Sequence, residues 1–302
     1  MAELSLLERL LLLYGTVVPN HPRKWWLHPQ LRKWLGIRVN RELEVAREGL
    51  RWSLNPADFP QDSLFWLGTK DTWDLRQLCQ CVAPGDVVLD VGSNFGHYAL
   101  NLATAMKRVG QIHALEPDPV NFERLCRHIA WNGLADVVIA RRLGLSDRPE
   151  TVAMMRHPGN SGHTWINPQG EIQGVDLTTV DAYCERTGLD RLDVIVLDVE
   201  GYEERVLRGA ERTLSEQKPI VLVELFCPVM EKQGSSPGAV ARILAGHGYD
   251  LFASYKGQLE PLTNLPQGDV GRNAFAFHRE KLPGRLRVAE RSPVAAYSRS
   301  SL

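Results

Sequence analysis

Hydrophobic and polar positions follow two different periods along most of this chain. Short apolar runs, which are typical of buried strands, alternate with longer segments whose apolar residues recur at helical spacing. The apolar runs lie at residues 87–91, 112–115, 137–140, 194–197, 220–223, 251–253 and 274–277. Because strand and helix alternate in units of roughly 25 residues, the pattern predicts an α/β fold built on a parallel, doubly wound sheet.

Two segments break this alternation. Residues 155–175 are rich in Gly, Pro and Asn, and we expect a long irregular loop there, of the kind that is functional or disordered in a compact domain. The tail over 281–302 is rich in Arg and Ser, has few apolar residues and is expected to be disordered. The chain is thus predicted to consist of an N-terminal helical extension (1–63), an α/β domain (64–280) and this tail.

The N-terminal extension combines apolar, aromatic and basic residues. Its apolar stretch over 4–18 is shorter than the about 20 residues that span a bilayer, and it lacks the features of a signal peptide. The segment 21–35 mixes Arg and Lys with Trp25, Trp26 and Trp34. Such a segment either makes peripheral contact with an anionic membrane or forms a helical cap whose aromatic face packs on the main domain. We favour the cap and keep the membrane contact as the alternative.

Charge and cysteine content exclude several classes of function. Lys and Arg number 35 against 36 Asp and Glu, so no global field directs the chain to nucleic acid or to an acidic substrate. The five cysteines lack zinc-ligand spacing, and we interpret them as reduced thiols of a cytoplasmic protein. Nothing in the composition indicates an oligomeric state.

The first apolar run ends in a carboxylate and leads into a glycine-spaced turn. Asp90, Gly92 and Gly96 form the pattern D-x-G-x-x-x-G, whereas dinucleotide sites use G-x-G-x-x-G to hold a pyrophosphate. Because Asp90 would repel a phosphate, the pattern favours a cationic nucleoside cofactor, S-adenosylmethionine. Both glycines allow close approach of the backbone to a cofactor. Ser93 and Asn94 complete the turn, and Asn94 is expected to bond the amino-acid end of the cofactor.

Polar residues follow the other predicted strands as well. Ligands of open α/β sheets bind outside the carboxyl ends of the strands, so these side chains are expected to meet. Glu116 ends the second strand 26 residues after Asp90, close to the spacing at which an acid accepts hydrogen bonds from ribose hydroxyls. Taken singly, such an acid more often is solvated or caps the next helix. The residues after the third, fourth and fifth strands are Ser146, Asp198, Glu200 and Glu224. Ser146 and Asp198 are further candidates for cofactor binding.

Several segments of the chain resemble the FkbM family of S-adenosylmethionine-dependent O-methyltransferases. Residues 197–210 (Leu-Asp-Val-Glu-Gly-Tyr-Glu-x-x-Val-Leu-x-Gly-Ala) are similar to the family's signature, and residues 67–96 look like its opening. Residues 161–163 resemble a small-residue loop of the family, and residues 273–277 resemble its closing strand. The resemblance covers residues 64–279 in order.

This resemblance implies a fold and an activity. The fold is a Rossmann-like, seven-stranded methyltransferase sheet with helices on both faces and an antiparallel last strand. The activity is methyl transfer from S-adenosylmethionine to a hydroxyl of a small-molecule or glycan acceptor, such as a sugar, a glycolipid or a natural product. Three residues depart from the family's pattern. His97 replaces an aromatic residue, Ser93 replaces alanine, and Val196 replaces a lysine, so a cation facing the substrate or cofactor is missing.

Four side chains are candidates for the catalytic residues. In-line methyl transfer requires a protein to align the acceptor oxygen and to help remove its proton. The candidates are His163, Asp198, Glu200 and Glu224. His163 lies in the predicted loop, and an ordinary imidazole titrates near neutrality, which suits a base; the alternative is a surface histidine. Glu200 can instead stabilise a helix N-terminus. Only one oxygen ligand follows the fifth strand, so we predict no obligatory metal.

Two other classes of function remain open. An NAD(P)-dependent oxidoreductase uses a similar sheet, but the missing G-x-G-x-x-G pattern argues against it. A non-catalytic methyltransferase-like module would bind the cofactor without turnover. The presence of Asp90, Glu116 and the run 198–201 favours the enzyme.

Overall fold

A computed structural model describes residues 4–18, 21, 23–70, 72–255 and 257–281 of the chain. Its helices are α1 (Leu6–Val17), α2 (Lys24–Trp34), α3 (Phe59–Leu67), α4 (Thr72–Cys81), α5 (His97–Ala105), α6 (Pro119–Trp131), α7 (Val180–Thr187), α8 (Glu203–Arg208), α9 (Cys227–Lys232) and α10 (Pro237–Gly246). Its strands are β1 (Leu43–Arg47), β2 (Leu50–Leu54), β3 (Val87–Val91), β4 (Gln111–Leu115), β5 (Val138–Arg141), β6 (Gly144–Leu145), β7 (Glu150–His157), β8 (Asn160–Ile166), β9 (Ile172–Thr178), β10 (Val194–Leu197), β11 (Ile220–Phe226), β12 (Tyr249–Tyr255), β13 (Gln258–Pro261) and β14 (Gly271–His278). A short π-helical turn, Thr213–Gln217, precedes β11.

The main sheet has the strand order β13-β12-β14-β11-β10-β3-β4-β5. The strands from β11 to β5 in this order pair in parallel, whereas β14 is antiparallel to both β11 and β12. The predicted Rossmann-like methyltransferase sheet with an antiparallel last strand is therefore confirmed. One more strand, β13, pairs with β12 at the edge, so the sheet has eight strands rather than seven among the described residues.

Alternate residues of the central strands pack on opposite faces of this sheet. Val88 and Val194 belong to one hydrophobic cluster, whereas their neighbours Leu89 and Ile195 belong to another. Helices α4, α5 and α6 cover the first face, and α7, α8 and α10 cover the second. Burial of both faces explains why the strands are continuous apolar runs that the sequence pattern identifies.

The first 63 residues are not a purely helical extension. Strands β1 and β2 form an antiparallel hairpin whose turn residues, Glu48 and Gly49, have φ of 53° and 77°. Positive φ at both turn residues matches the right-handed twist of the strands, which favours such a turn. Trp52 is fully buried in the same cluster as Val88 of β3, and the predicted boundary after residue 63 falls within α3. The prediction of an all-helical segment was wrong at the hairpin, whose strands are too short for a clear alternating pattern.

Helix α2 does not pack its tryptophans on the main domain. Its buried residues are Lys24 and His28, whereas Trp25, Trp26 and Trp34 are exposed. The prediction of a cap with an inward aromatic face is therefore wrong for these three side chains.

Among the described residues, none of the helices has the length and apolar character that a bilayer crossing requires.

The predicted irregular loop over 155–175 is largely an antiparallel sheet. Strands β6 to β9 form a second sheet in the order β6-β9-β7-β8. The loop prediction was wrong because Gly, Pro and Asn are concentrated in two turns, 158–159 and 167–170, rather than spread through the segment. The predicted disordered tail lies outside the described residues, apart from Lys281.

Candidate active site

A cavity of about 270 Å³ lies at the carboxyl ends of the central strands. The strand order of the main sheet reverses between β3 and β10, and ligands of open α/β sheets bind at such a point. Most of the residues that the sequence predicted for the site line this cavity: Asp90, Gly92, Ser93, Asn94, Glu116, Asp198, Glu200 and Glu224. The predicted convergence of strand ends is thus present in the structure.

Gly92 is required by the packing of two strand ends. Its φ is 83°, and a Cβ at this position would lie 1.8 Å from the carbonyl oxygen of Asp198. The glycine therefore lets the turn after β3 pass the end of β10. This reason differs from the predicted one, which was close approach of the backbone to a cofactor.

Gly96 and Ser146 do not line the cavity. A Cβ at Gly96 would lie 2.7 Å from Leu125 and 2.8 Å from Leu100, so this glycine serves the packing of α5. The hydroxyl of Ser146 donates to the carboxylates of Asp147 and Glu150, at 3.1 and 3.3 Å. Neither geometry supports the predicted cofactor contact.

Glu116 holds the glycine turn through two backbone amides. Its Oε2 accepts from the Asn94 amide at 2.7 Å, and its Oε1 accepts from the Asp118 amide at 2.8 Å. Burial raises the pKa of Glu116 to about 8, and the neighbouring charges of Asp118 and Asp90 add to this rise. Each carboxylate oxygen has a second lone pair, so Glu116 can still accept hydrogen bonds from a ligand.

Asp90 and Asn94 contribute buried polar atoms with no partner among the described residues. These atoms are Oδ2 of Asp90 and Oδ1 of Asn94, and both residues line the cavity. Burial raises the pKa of Asp90 to about 6. Buried acceptors without a donor are rare in folded proteins and indicate a missing partner. A nucleoside with hydroxyl and ammonium donors fits this set of acceptors.

A second group of acids lies at the ends of β10 and β11. The negative charge of Asp198, followed by burial, raises the pKa of Glu224 well above its ordinary value. Glu200 has φ of 53° and is followed by Gly201 at 97°, so the chain bends sharply after β10. In the described part of the chain, no group of three His, Cys, Asp or Glu side chains is placed to hold a metal ion.

Glu203 supports this bend, although the sequence analysis did not assign it to the site. Its Oε1 accepts from the amides of Val199 and Gly201, at 3.1 and 3.2 Å. The side chain is buried, and burial raises its pKa to about 8. Its place in the run 197–203, one turn beyond Glu200, was the signal that could have identified it.

His163 lies on β8, not in a loop, and it contacts the acid after β10. Its Nδ1 is 2.7 Å from Oε2 of Glu200, and both side chains are partly buried. The ring of Trp165 packs against the imidazole with its centroid 4.8 Å away. His163 does not itself line the cavity, whereas its partner Glu200 does. Glu200 therefore connects this imidazole to the cavity.

The cavity also has residues that the sequence analysis missed. Val196 is buried in the core, so the strand position at which the family commonly has lysine carries no cation here. Lys70 lines the cavity from the segment between α3 and α4 and supplies a cation from a different element. Phe59 and Tyr98 add aromatic surface to the lining. Phe59 and Lys70 precede the strand-end motifs, and no pattern in the sequence indicates their position.

The chain is similar to several known proteins. A family model described as the methyltransferase FkbM domain matches residues 90–251, more than half of the chain. The 2-O-methyltransferase NoeI of Sinorhizobium fredii is 30% identical over 152 residues, which cover 45% of this chain and 61% of that protein. The hexuronic acid methyltransferase AglP of Haloferax volcanii is 29% identical over 160 residues, which cover 52% of this chain and 63% of that protein. The matches thus span less than two thirds of either relative.

A solved structure of methyltransferase FkbM from Methylobacillus flagellatus aligns with 65% of this chain and 44% of its own, at 18% identity and a TM-score of 0.46. The family match includes Asp90, Glu116 and His163, and it includes the run 197–210 that carries the resemblance. The predicted family is therefore confirmed. This chain belongs to the FkbM methyltransferase family.

Proposed function

We propose that the protein is an S-adenosylmethionine-dependent O-methyltransferase that acts on a hydroxyl of a sugar, a glycolipid or a natural product. The observation that carries this proposal is the hydrogen bond of 2.7 Å between His163 and Glu200, beside a cavity with buried acids. Family membership supports methyl transfer. The names of the relatives, a 2-O-methyltransferase and a hexuronic acid methyltransferase, support an oxygen acceptor on a sugar.

The residues around β3 and β4 are proposed to bind the cofactor. When bound, S-adenosylmethionine supplies a methyl group already activated by its sulfonium. Glu116 would accept from the ribose hydroxyls through its remaining lone pairs, and Asp90 and Asn94 would use their unpartnered oxygens toward donors of the cofactor. The amide of Asn94 is already bonded to Glu116, so the turn is fixed before any ligand enters.

The pair formed by His163 and Glu200 is proposed to take the proton of the acceptor. With its Nδ1 proton directed at Glu200, the imidazole has its lone pair on Nε2, which is then the proton acceptor. The carboxylate stabilises the imidazolium that forms. Glu224 is a weaker candidate for the base, because the charge of Asp198 and burial favour its protonated form.

Asp198 has a different role in this proposal. It lines the cavity at the end of β10, and its negative charge raises the pKa of the neighbouring Glu224. We keep it as a cofactor-binding residue that also favours the cationic sulfonium. The cytoplasmic location stays a prediction.

Transfer of a labelled methyl group tests the proposal. The protein is incubated with methyl-labelled S-adenosylmethionine and with extracts separated into soluble sugar, lipid and protein fractions. We expect base-stable label, as a methyl ether carries it, in a sugar or glycolipid fraction, whereas base-labile label would indicate methylation of a carboxyl group. His163→Gln should lower the rate by about 100-fold or more, the usual contribution of a general base.

His157→Gln is the matched control, because this histidine is exposed and its ring centroid is 5.8 Å from that of His163. It should keep the wild-type rate. Cofactor binding without label in any fraction would favour the non-catalytic module, and binding of NAD(H) would favour the oxidoreductase. Wild-type turnover in His163→Gln would contradict the assigned base.

A further inference from the structure

Helix α1 has an apolar stripe on its solvent side. Leu6, Leu10, Leu13 and Val17 are each between 54% and 76% exposed. Their spacing of four, three and four residues puts them on one side of an α-helix. We call these four residues the outer stripe. Solvent-facing positions of a helix in a water-soluble domain ordinarily carry polar residues, so the outer stripe is unusual.

The opposite side of α1 is fixed against the domain, so the helix cannot rotate to bury the outer stripe. Leu11 and Leu12 are buried in the core. A Cβ at Gly15 would lie 1.9 Å from the carbonyl oxygen of Trp66, which shows how closely α1 approaches α3. Nε2 of His28 lies 3.1 Å from the carbonyl oxygen of Leu11 and joins α1 to α2.

Helix α2, which contacts α1, carries exposed tryptophans and exposed basic residues. Trp26 is 65% exposed and Trp34 is 82% exposed. The sole acid in the sequence from residue 5 to 35 is Glu8, and its carboxylate is used in a capping box with Ser5. Of the basic residues of the same segment, Lys24 is buried and Arg32 pairs with Asp62 at 2.7 Å, whereas Arg9, Arg23 and Lys33 are exposed. The chain as a whole has a net charge of −1, so positive charge is concentrated here.

We propose that the outer stripe and the exposed tryptophans of α2 form a docking surface for an anionic lipid bilayer. Helix α1 lies in the plane of the interface with its stripe among the acyl chains, as amphipathic helices do. Tryptophan side chains prefer the headgroup level, and basic residues are attracted to anionic lipids. Binding of this surface to lipid is separate from the proposed methyl transfer, because it needs neither the cofactor nor the acceptor.

A bilayer fits this surface better than a second copy of the chain. The spacing of the outer stripe matches the a and d positions of a coiled coil, but α1 has 12 residues, fewer than the three to four heptads that such a pairing requires. A symmetric pair would also bring the exposed Arg9, Arg23 and Lys33 of two copies together. An anionic bilayer supplies both the apolar layer and the opposite charge.

Flotation with lipid vesicles tests the proposal. The full chain is mixed with vesicles of phosphatidylcholine alone or of equal parts phosphatidylcholine and phosphatidylglycerol. We expect wild-type protein to float with the anionic vesicles and to bind the neutral vesicles much more weakly. The variant Leu10→Gln/Leu13→Gln should lose at least tenfold in apparent affinity for the anionic vesicles.

The matched control is Val109→Gln/Val270→Gln, because these two side chains are apolar and equally exposed, at 54% and 57%, but lie far from α1 in the sequence. It should float like the wild type. Arg23→Gln/Lys33→Gln removes charge without touching the stripe and should weaken binding to anionic vesicles only. Circular dichroism and thermal unfolding establish that each variant is folded.

Three results would overturn the proposal. In the first, wild-type protein stays in the aqueous fraction with anionic vesicles. In the second, the folded stripe variant floats as well as the wild type. In the third, light scattering shows that the wild-type protein is a dimer that does not float, whereas the stripe variant is a monomer. This result would assign the outer stripe to a contact with a second copy of the chain.

Discussion

The two halves of the site hold their acids in different ways. On the cofactor side, Glu116 is fully buried and is fixed by two backbone amides. On the acceptor side, Glu200 is only partly buried and is bonded by the side chain of His163. Backbone amides fix a carboxylate as an acceptor, whereas an imidazole partner can gain and lose a proton. The difference indicates a preformed binding half and a chemically active half.

The largest expected effect is the loss of turnover when Glu200, the acid of the chemically active half, loses its charge. Glu200→Gln keeps the shape of the side chain but no longer stabilises an imidazolium on His163. We expect kcat for methyl transfer to fall by about 100-fold, with the dissociation constant of S-adenosylmethionine changed less than about twofold. Steady-state kinetics and calorimetry on the same preparation check this.

Glu204→Gln is the control for that prediction. Glu204 lies four residues along the chain and pairs with Arg208 at 2.7 Å, away from the cavity lining. Its variant should keep wild-type kcat. A Glu200→Gln enzyme that loses cofactor affinity in proportion to kcat would remove the distinction between the two halves.

A smaller effect is expected on the cofactor side. Asp90→Ala or Glu116→Ala should weaken binding of S-adenosylmethionine at least tenfold, which corresponds to about 1.4 kcal/mol. Loss of Glu116 also leaves the Asn94 and Asp118 amides without their acceptor. Calorimetric titration checks the affinity, with Glu123→Ala on the exposed side of α6 as the control. Unchanged binding in both variants would refute the assignment of the cofactor half.

The last expected effect concerns the folding of the protein rather than its activity, and it is a pH dependence of stability. Burial raises the pKa of Glu116 and of Glu203 to about 8, so the folded state binds more protons than the unfolded state above pH 4.5. Stability contributed by these protons is lost as the pH rises toward 8. Burial lowers the pKa of His28 and His128 to about 4. These two groups therefore make the folded state more stable as the pH rises from about 4 to 6.5, and they add no further slope above pH 6.5.

The free energy of unfolding of the ligand-free protein should therefore fall between pH 6.5 and 8, by up to about 1.4 kcal/mol per pH unit for each group. Denaturant titrations at several pH values measure this slope. Glu203→Gln keeps an acceptor for the two loop amides and should make the slope shallower, whereas Glu204→Gln should leave it as it is. A slope that is equal in all three proteins would show that Glu203 is ionised in the folded state.

The sequence predicted the parts of the site that follow single strands. The run 87–91 ends in Asp90 and the run 112–115 in Glu116, and parallel strands bring such ends to one edge. Buried strands are apolar throughout, so their position can be identified from the pattern. The family resemblance then added the antiparallel last strand, which periodicity alone does not predict.

Contacts between distant segments could not be predicted in the same way. His163 and Glu200 are 37 residues apart, and their hydrogen bond depends on the second sheet, which the turn-rich composition of 155–175 concealed. The close approach of Gly92 to the carbonyl of Asp198 likewise depends on how two strand ends meet. Such tertiary contacts leave no periodic signal in either segment.

The most direct test of the central claim is a calorimetric titration of the wild-type protein with S-adenosylmethionine and, separately, with NAD(H). We expect saturable binding of S-adenosylmethionine at one site per chain and no binding of NAD(H), because the turn after β3 carries an acid where a phosphate would lie. Absence of binding by S-adenosylmethionine, or saturable binding of NAD(H), would contradict it.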